Sequence, residues 1–137
     1  MLRQFLFGGA VSICNIAVHA LITTVVVRIA RTMGAKELLH PYLVLVGVMI
    51  STVSVLMITH AFEVGVWALA YSIVDIAPPG SGLMYFAFVN YTTLGYGDIV
   101  PTRRWQLLGP MTAMNGVLLF GWSTALIFEV LRRAMAR

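Results

Sequence analysis

Residues 92–98 read Thr92-Thr93-Leu94-Gly95-Tyr96-Gly97-Asp98 and carry two glycines separated by a single tyrosine. Glycine has no Cβ atom, so it takes positive φ without a steric clash. A backbone with glycine at alternate positions can therefore alternate between right- and left-handed conformations, and its successive carbonyl oxygens can point the same way. Copies of such a segment around one axis would form stacked oxygen rings that replace the water around a monovalent cation.

Residues 93–97, Thr-Leu-Gly-Tyr-Gly, resemble the signature selectivity filter of potassium channels, TVGYG. The resemblance implies that K⁺ is held by the residues Thr93, Leu94, Gly95, Tyr96 and Gly97, with the ion sites running from Thr93 to Tyr96. Leu94 stands where the family has valine and keeps an apolar side chain there. A weakly selective monovalent cation channel with the same filter is the nearest alternative.

The composition predicts an all-α membrane protein. Of 137 residues, 60% are hydrophobic and only 10% are charged, whereas soluble domains have about 25% charged residues. The net charge of +4 does not indicate a nucleic-acid partner, because the basic residues stand mostly at the ends of apolar runs, where they orient helices. Cys14 is the single cysteine, which excludes an intrachain disulfide.

Long apolar runs predict three transmembrane helices, over residues 4–30, 41–75 and 105–131. The stretch between the last two is different, because Pro78-Pro79-Gly80 precedes it and the glycines of residues 93–97 end it. A helix over residues 81–92 would be about 18 Å long, half of a bilayer core. Non-helical backbone at that depth must lie inside protein or along water, so this stretch is predicted to be a re-entrant pore helix.

The order of these segments over residues 41–131 is similar to the two-helix pore module of small prokaryotic potassium channels: outer helix 41–75, pore helix 81–92, filter 93–97 and inner helix 105–131. The N-terminal helix, residues 4–30, is extra. One pore loop per chain implies a fourfold-symmetric homotetramer in contact with membrane lipid. The resemblance implies passive K⁺ transport, with no enzymatic activity and no organic cofactor.

Basic residues predict the orientation. If the C-terminus is cytoplasmic, six basic residues face inward and three face outward, in agreement with the positive-inside rule. The inward set is Arg28, Arg31, Lys36, Arg132, Arg133 and Arg137, and the outward set is Arg3, Arg103 and Arg104. The filter and the N-terminus are then outside, and the compact pore module predicts a prokaryotic inner membrane.

Several residues are expected to support the filter. By the resemblance, Tyr96 packs against pore-helix aromatics, for which Tyr85 and Phe86 are the candidates, and Thr92 leads into the filter. Asp98 is either a hydrogen-bonding support behind the filter, as in the family, or a solvated acid after a turn. Some relatives carry a partner glutamate on the pore helix, where this chain has Val89.

A polar and aromatic stripe marks the second helix, at the helical spacing of His60, Glu63, Trp67 and Tyr71. Ionisable groups at membrane depth are candidates for function. His60 and Glu63 satisfy each other structurally in the favoured interpretation, and proton sensing is the alternative. A metal site would need His19 to come across from another helix.

Gly116 follows Asn115 in the last helix, near the hinge glycine of the family's inner helices. It serves either gating, by allowing the helix to bend, or close helix packing. A hypothesis from a different class is a membrane haem or metal protein that uses His19 and His60 as ligands. A non-conducting structural subunit is a third possibility.

Overall fold

The computed structural model describes residues 1–33 and 41–135. Over those residues the secondary structure is entirely helical, and no strand is present. The elements are α1 (Leu2–Met33), α2 (Pro41–Ile73), α3 (Leu83–Tyr91) and α4 (Leu108–Met135), with a short 3₁₀ turn at Arg103–Trp105.

Three helical segments are long and apolar enough to cross a membrane: Leu2–Ile29, Tyr42–Ile73 and Arg103–Arg133. A helix satisfies its backbone polar groups internally, which lipid requires of a spanning segment. The prediction of an all-helical chain with three such segments is confirmed.

The helix ends differ from the predictions. α1 extends past residues 4–30 at both ends, and α2 stops at Ile73 rather than residue 75, since Asp75 takes a φ of 49°. α3 is shorter than residues 81–92, because Gly82 has a non-helical ψ of 84° and Thr92 only caps the helix.

α4 begins at Leu108 and not at residue 105, and it continues past residue 131 to Met135. The difference at its start arises because Arg103–Trp105 form a separate turn, in which the Trp105 amide donates to the Thr102 carbonyl at 2.8 Å.

α1 lies against both α2 and α4. It runs parallel to α4, since Gln4 Oε1 accepts from the Leu107 amide at 2.8 Å and Asn15 bonds to Asn115 at 3.2 Å. Buried apolar side chains form two separate clusters. One surrounds α3 (Trp67, Tyr71, Phe86, Ala87, Tyr91, Leu108), and the other lies nearer the far ends of the long helices (Val26, Leu56, Leu126, Val130). Several buried polar residues lie between the two clusters along their helices: Asn15, His19, Glu63, Asn115 and Ser123.

Candidate functional site

The segment of residues 92–98, here called the glycine loop, leaves α3 with a regular alternation in its backbone. Thr93, Gly95 and Gly97 have positive φ values of 61°, 57° and 77°, whereas the intervening Leu94 and Tyr96 do not. Positive φ is uncommon for a side chain branched at Cβ and costs on the order of 1–3 kcal/mol. Thr93 therefore extends by one position the alternation that the two glycines predict.

The carbonyl end of α3 holds the start of the glycine loop. The Thr93 amide donates to the Asn90 carbonyl at 3.0 Å, and the Val89 carbonyl accepts from the amides of Leu94 at 2.9 Å and Gly95 at 3.3 Å. The Thr92 hydroxyl donates to the Phe88 carbonyl at 2.7 Å. The loop thus begins at a helix C-terminus, whose partial negative charge favours a nearby cation.

Of the predicted support residues, Tyr85 contacts the end of the glycine loop directly. The Asp98 carboxylate raises the pKa of Tyr85, through a hydrogen bond with its hydroxyl and through its negative charge, and Tyr85 lies outside the three spanning segments. Phe86 points elsewhere, with its ring 5.2 Å from that of Tyr71 in the core. The role of Asp98 as a support behind the filter stays a prediction, and Tyr96 is 66% exposed in the single chain.

Every residue of the glycine loop is exposed in the single chain. Even the apolar Leu94 has 55% of its surface accessible. The surroundings of α3 are the opposite, with Phe86, Ala87 and Tyr91 buried against α2 and α4. A helix that is buried on one face thus presents a short backbone segment that the chain itself does not cover.

Gly116 packs directly against the end of α3. A Cβ atom added there would overlap the Tyr91 carbonyl oxygen and lie 3.0 Å from the Tyr91 carbonyl carbon. This contact fits the close-packing interpretation of Gly116, because only hydrogen leaves room for the neighbouring backbone. The role of Gly116 as a hinge in gating stays a prediction.

Glu63 occupies the centre of a second group, the polar cluster, which comprises His19, His60, Glu63, Tyr91 and Ser123. One carboxylate oxygen of Glu63 contacts His19 Nδ1 at 2.9 Å. The other contacts His60 Nδ1 at 3.0 Å and accepts from the Tyr91 hydroxyl at 2.5 Å. His19 and Glu63 are fully buried, and the His60 side chain is 14% exposed. The predicted contact between His60 and Glu63 is confirmed.

Ser123 closes the polar cluster on its far side. Its hydroxyl lies 2.9 Å from His60 Nε2 and 3.3 Å from His19 Nε2. The two imidazoles therefore stand side by side between one carboxylate and one hydroxyl. All four helices contribute, since His19 comes from α1, His60 and Glu63 from α2, Tyr91 from α3 and Ser123 from α4.

A neighbouring amide group joins the same helices. Asn15 donates to the Glu63 carbonyl at 3.2 Å and to Asn115 Oδ1 at 3.2 Å, and Trp67 Nε1 donates to that same oxygen at 3.0 Å. Sequence reasoning did not assign Tyr91 or Ser123 to any site. No local sequence pattern links them to the histidines, because their place in the cluster depends on how α3 and α4 pack against α1 and α2.

The arrangement of His19 and His60 does not fit a haem. Two axial haem ligands must approach the iron from opposite faces of a flat macrocycle. Here the ring centroids are 5.3 Å apart, the planes are inclined by 35°, and both Nδ1 atoms meet one carboxylate. Together with Glu63, these histidines form a group that could instead hold a metal ion.

Comparison with known families places this geometry in context. A family model described as "Ion channel" matches residues 43–133, which include α3, the glycine loop and most of α2 and α4. No curated protein and no solved structure gave a significant match. The match covers well over half of the 137 residues, and the three apolar helices agree with an integral membrane protein. The chain therefore belongs to this family of ion channels.

Proposed function

We propose that this channel is a homotetramer that conducts K⁺ selectively and passively through its glycine loop. The observation that carries the proposal is the alternation of positive φ at Thr93, Gly95 and Gly97. Such a backbone can aim consecutive carbonyl oxygens at one axis, where four copies would give K⁺ a complete shell of oxygen ligands. K⁺ sites from Thr93 to Tyr96 need no carboxylate and no catalysed chemistry.

The placement of the glycine loop supports the same proposal. α3 has nine residues, so it is about 14 Å long and too short for a bilayer core of about 30 Å. It suits a re-entrant pore helix, with its C-terminus at the loop. The exposure of the whole loop in one chain suits a segment that meets its own copies.

The exposed apolar residues of α4 fit an assembly as well. Met114, Val117 and Leu118 are each more than half exposed, at 57%, 55% and 58%. In a tetramer they would contact neighbouring subunits or line the conduction path. The excess of basic residues on one side favours an outer filter, an outer N-terminus and a cytoplasmic C-terminus.

Potassium release from liposomes tests the proposal. Vesicles that contain the purified protein and KCl should lose K⁺ down its gradient, whereas protein-free vesicles should retain it. K⁺ release should persist when the outside solution contains Na⁺ instead of K⁺. Vesicles that are loaded with Na⁺ as the only cation should not release that Na⁺. Equal rates with either internal cation would leave an ion channel without the proposed selectivity.

A further inference from the structure

The polar cluster holds a buried carboxylate whose basic partners, among the described residues, are two histidines. Glu63 is fully buried in a spanning helix. Among the described residues, its ionic partners are only His19 and His60, and no arginine or lysine pairs with it. An uncompensated carboxylate at such a depth is strongly unfavourable, so the site calls for a positive charge, which a bound metal ion would supply.

A count of hydrogen atoms gives the same result. Four contacts close a ring through Glu63, His19, Ser123 and His60. With the carboxylate ionised and both imidazoles neutral, the two rings and the hydroxyl supply only three hydrogens. One of the four contacts then joins two lone pairs. Tyr91 cannot supply the missing hydrogen, because its hydroxyl already donates to Glu63.

We propose that the polar cluster binds one divalent transition-metal ion of the Zn²⁺ class, with His19, His60 and Glu63 as ligands and the Tyr91 hydroxyl as the fourth donor. The ion would bind the lone pairs of the two Nδ1 atoms. Each neutral imidazole would then carry its hydrogen on Nε2 and donate it to Ser123. A hydroxyl oxygen has two lone pairs, so Ser123 can accept both bonds.

The donor atoms already converge. One ligand atom from each of His19, His60 and Glu63 can be chosen so that all lie within 4.8 Å of one another. The Tyr91 hydroxyl lies 3.0 Å from His60 Nδ1. Zinc bonds of about 2.0–2.2 Å place tetrahedral donors about 3.3–3.5 Å apart, so small side-chain shifts would complete the shell.

The chemistry of the donors selects the ion. Two imidazoles and one carboxylate are a common zinc set, whereas Mg²⁺ and Ca²⁺ prefer shells made of oxygen. Ser123 would play the part of the outer hydrogen-bond partner that orients ligating histidines. His60 is the one partly exposed ligand, with 14% of its side chain accessible in the single chain.

The site lies within one chain and depends on neither the tetramer nor K⁺ selectivity. A bound ion would fix α1 to α2 and to the end of α3, next to the glycine loop. It would thus give the N-terminal helix, which lies outside the matched residues 43–133, a link to the conduction segment.

Cobalt titration tests the proposal on detergent-solubilised, chelator-treated protein whose purification tag lacks histidine. The expected result is one Co²⁺ per chain with the intense visible absorption of a four-coordinate ion, abolished by equimolar Zn²⁺ and unaffected by Mg²⁺. His19→Gln and Glu63→Gln should weaken binding by more than about 100-fold, and Ser123→Ala by about 10–100-fold. The matched control is His40→Gln, a histidine outside the described residues, which should bind as the wild type does.

Wild-type protein that takes up no Co²⁺, or that gives only the weak spectrum of a six-coordinate surface ion, would overturn the proposal. Binding that survives both His19→Gln and Glu63→Gln would do the same. If these variants do not fold, the wild-type spectrum and its displacement by Zn²⁺ decide the matter alone. A failed titration would leave the potassium measurements untouched.

Discussion

The glycine loop and the polar cluster meet at the C-terminus of α3, where Tyr91 belongs to the cluster and Thr92 opens the loop. One chain completes the cluster, since each of its five side chains has hydrogen-bond partners from other helices. The same chain leaves all seven loop residues exposed. The difference indicates that the cluster serves the fold of a subunit, whereas the loop becomes complete only when several subunits surround it.

If the polar cluster serves the fold of one subunit, loss of its central carboxylate, Glu63, should have the largest effect on the stability of the subunit. Glu63→Ala removes the partner of two histidines and Tyr91 in the core. Removing one member of a buried ionic network costs about 3–5 kcal/mol of unfolding free energy. Thermal unfolding in detergent should show a large drop in melting temperature.

The control for Glu63→Ala is Glu129→Ala. Glu129 pairs with Arg132 and Arg133 on the surface of α4, as its spacing predicts. Its loss should leave the melting temperature nearly unchanged. Equal melting temperatures for the two variants would contradict the structural role of the cluster.

The next largest effect on stability is expected where the polar cluster and the glycine loop meet, at the end of α3. Gly116→Ala drives a methyl group into the Tyr91 carbonyl, and overpacking of this kind costs about 1–3 kcal/mol. Since Tyr91 ends α3, K⁺ release from liposomes should fall as well. Gly121→Ala on the same helix is the control, because a Cβ atom there meets nothing within 4 Å. A hinge role without packing strain would instead leave the melting temperature of Gly116→Ala unchanged.

The glycine loop should show the reverse balance, with a small effect on folding and a large one on conduction. Gly97→Ala places a Cβ atom at a φ of 77°, which costs about 1–2 kcal/mol, and the backbone would relieve this by turning a carbonyl away. The variant should fold and yet lose K⁺ release. Gly47→Ala, on an open face of α2, should conduct normally. Normal conduction by Gly97→Ala would exclude the loop as the ion path.

The smallest effect is expected behind the loop. Tyr85→Phe removes only the hydrogen bond to Asp98, so the melting temperature should not change. The open state of single channels in planar bilayers should become shorter, since one restraint on the loop is lost. Tyr42→Phe, at an 81% exposed residue of α2, should match the wild type. If Tyr85→Phe and Tyr42→Phe have identical open times, the alternative interpretation holds, in which Asp98 is a solvated acid.

The sequence was informative wherever a pattern is local. Apolar runs located three long helices, and Pro78-Pro79-Gly80 separated α2 from the short α3. Helix ends were harder to predict. The 3₁₀ turn at Arg103–Trp105 is followed by apolar residues, as the first turn of an α-helix would be, so the sequence does not distinguish the two. The positive φ of Thr93 had no signal, since nothing in a threonine marks that conformation.

The polar cluster was only partly predictable for a different reason. The spacing of His60 and Glu63 brings them together on one helix. His19 and Ser123 join them through the packing of α1 against α2 and α4, and helix register between distant segments cannot be read from one sequence. The burial of His19 and Glu63 depends on that same packing.

The reversal potential of the current across a planar bilayer, with KCl on one side and an equal concentration of NaCl on the other, tests the potassium proposal most directly. A carbonyl path completed by four loops predicts a reversal potential far from zero, of the sign that K⁺ selectivity requires, and its absence in Gly97→Ala. A current that reverses near zero, or one that survives in Gly97→Ala, would contradict a potassium filter in this loop.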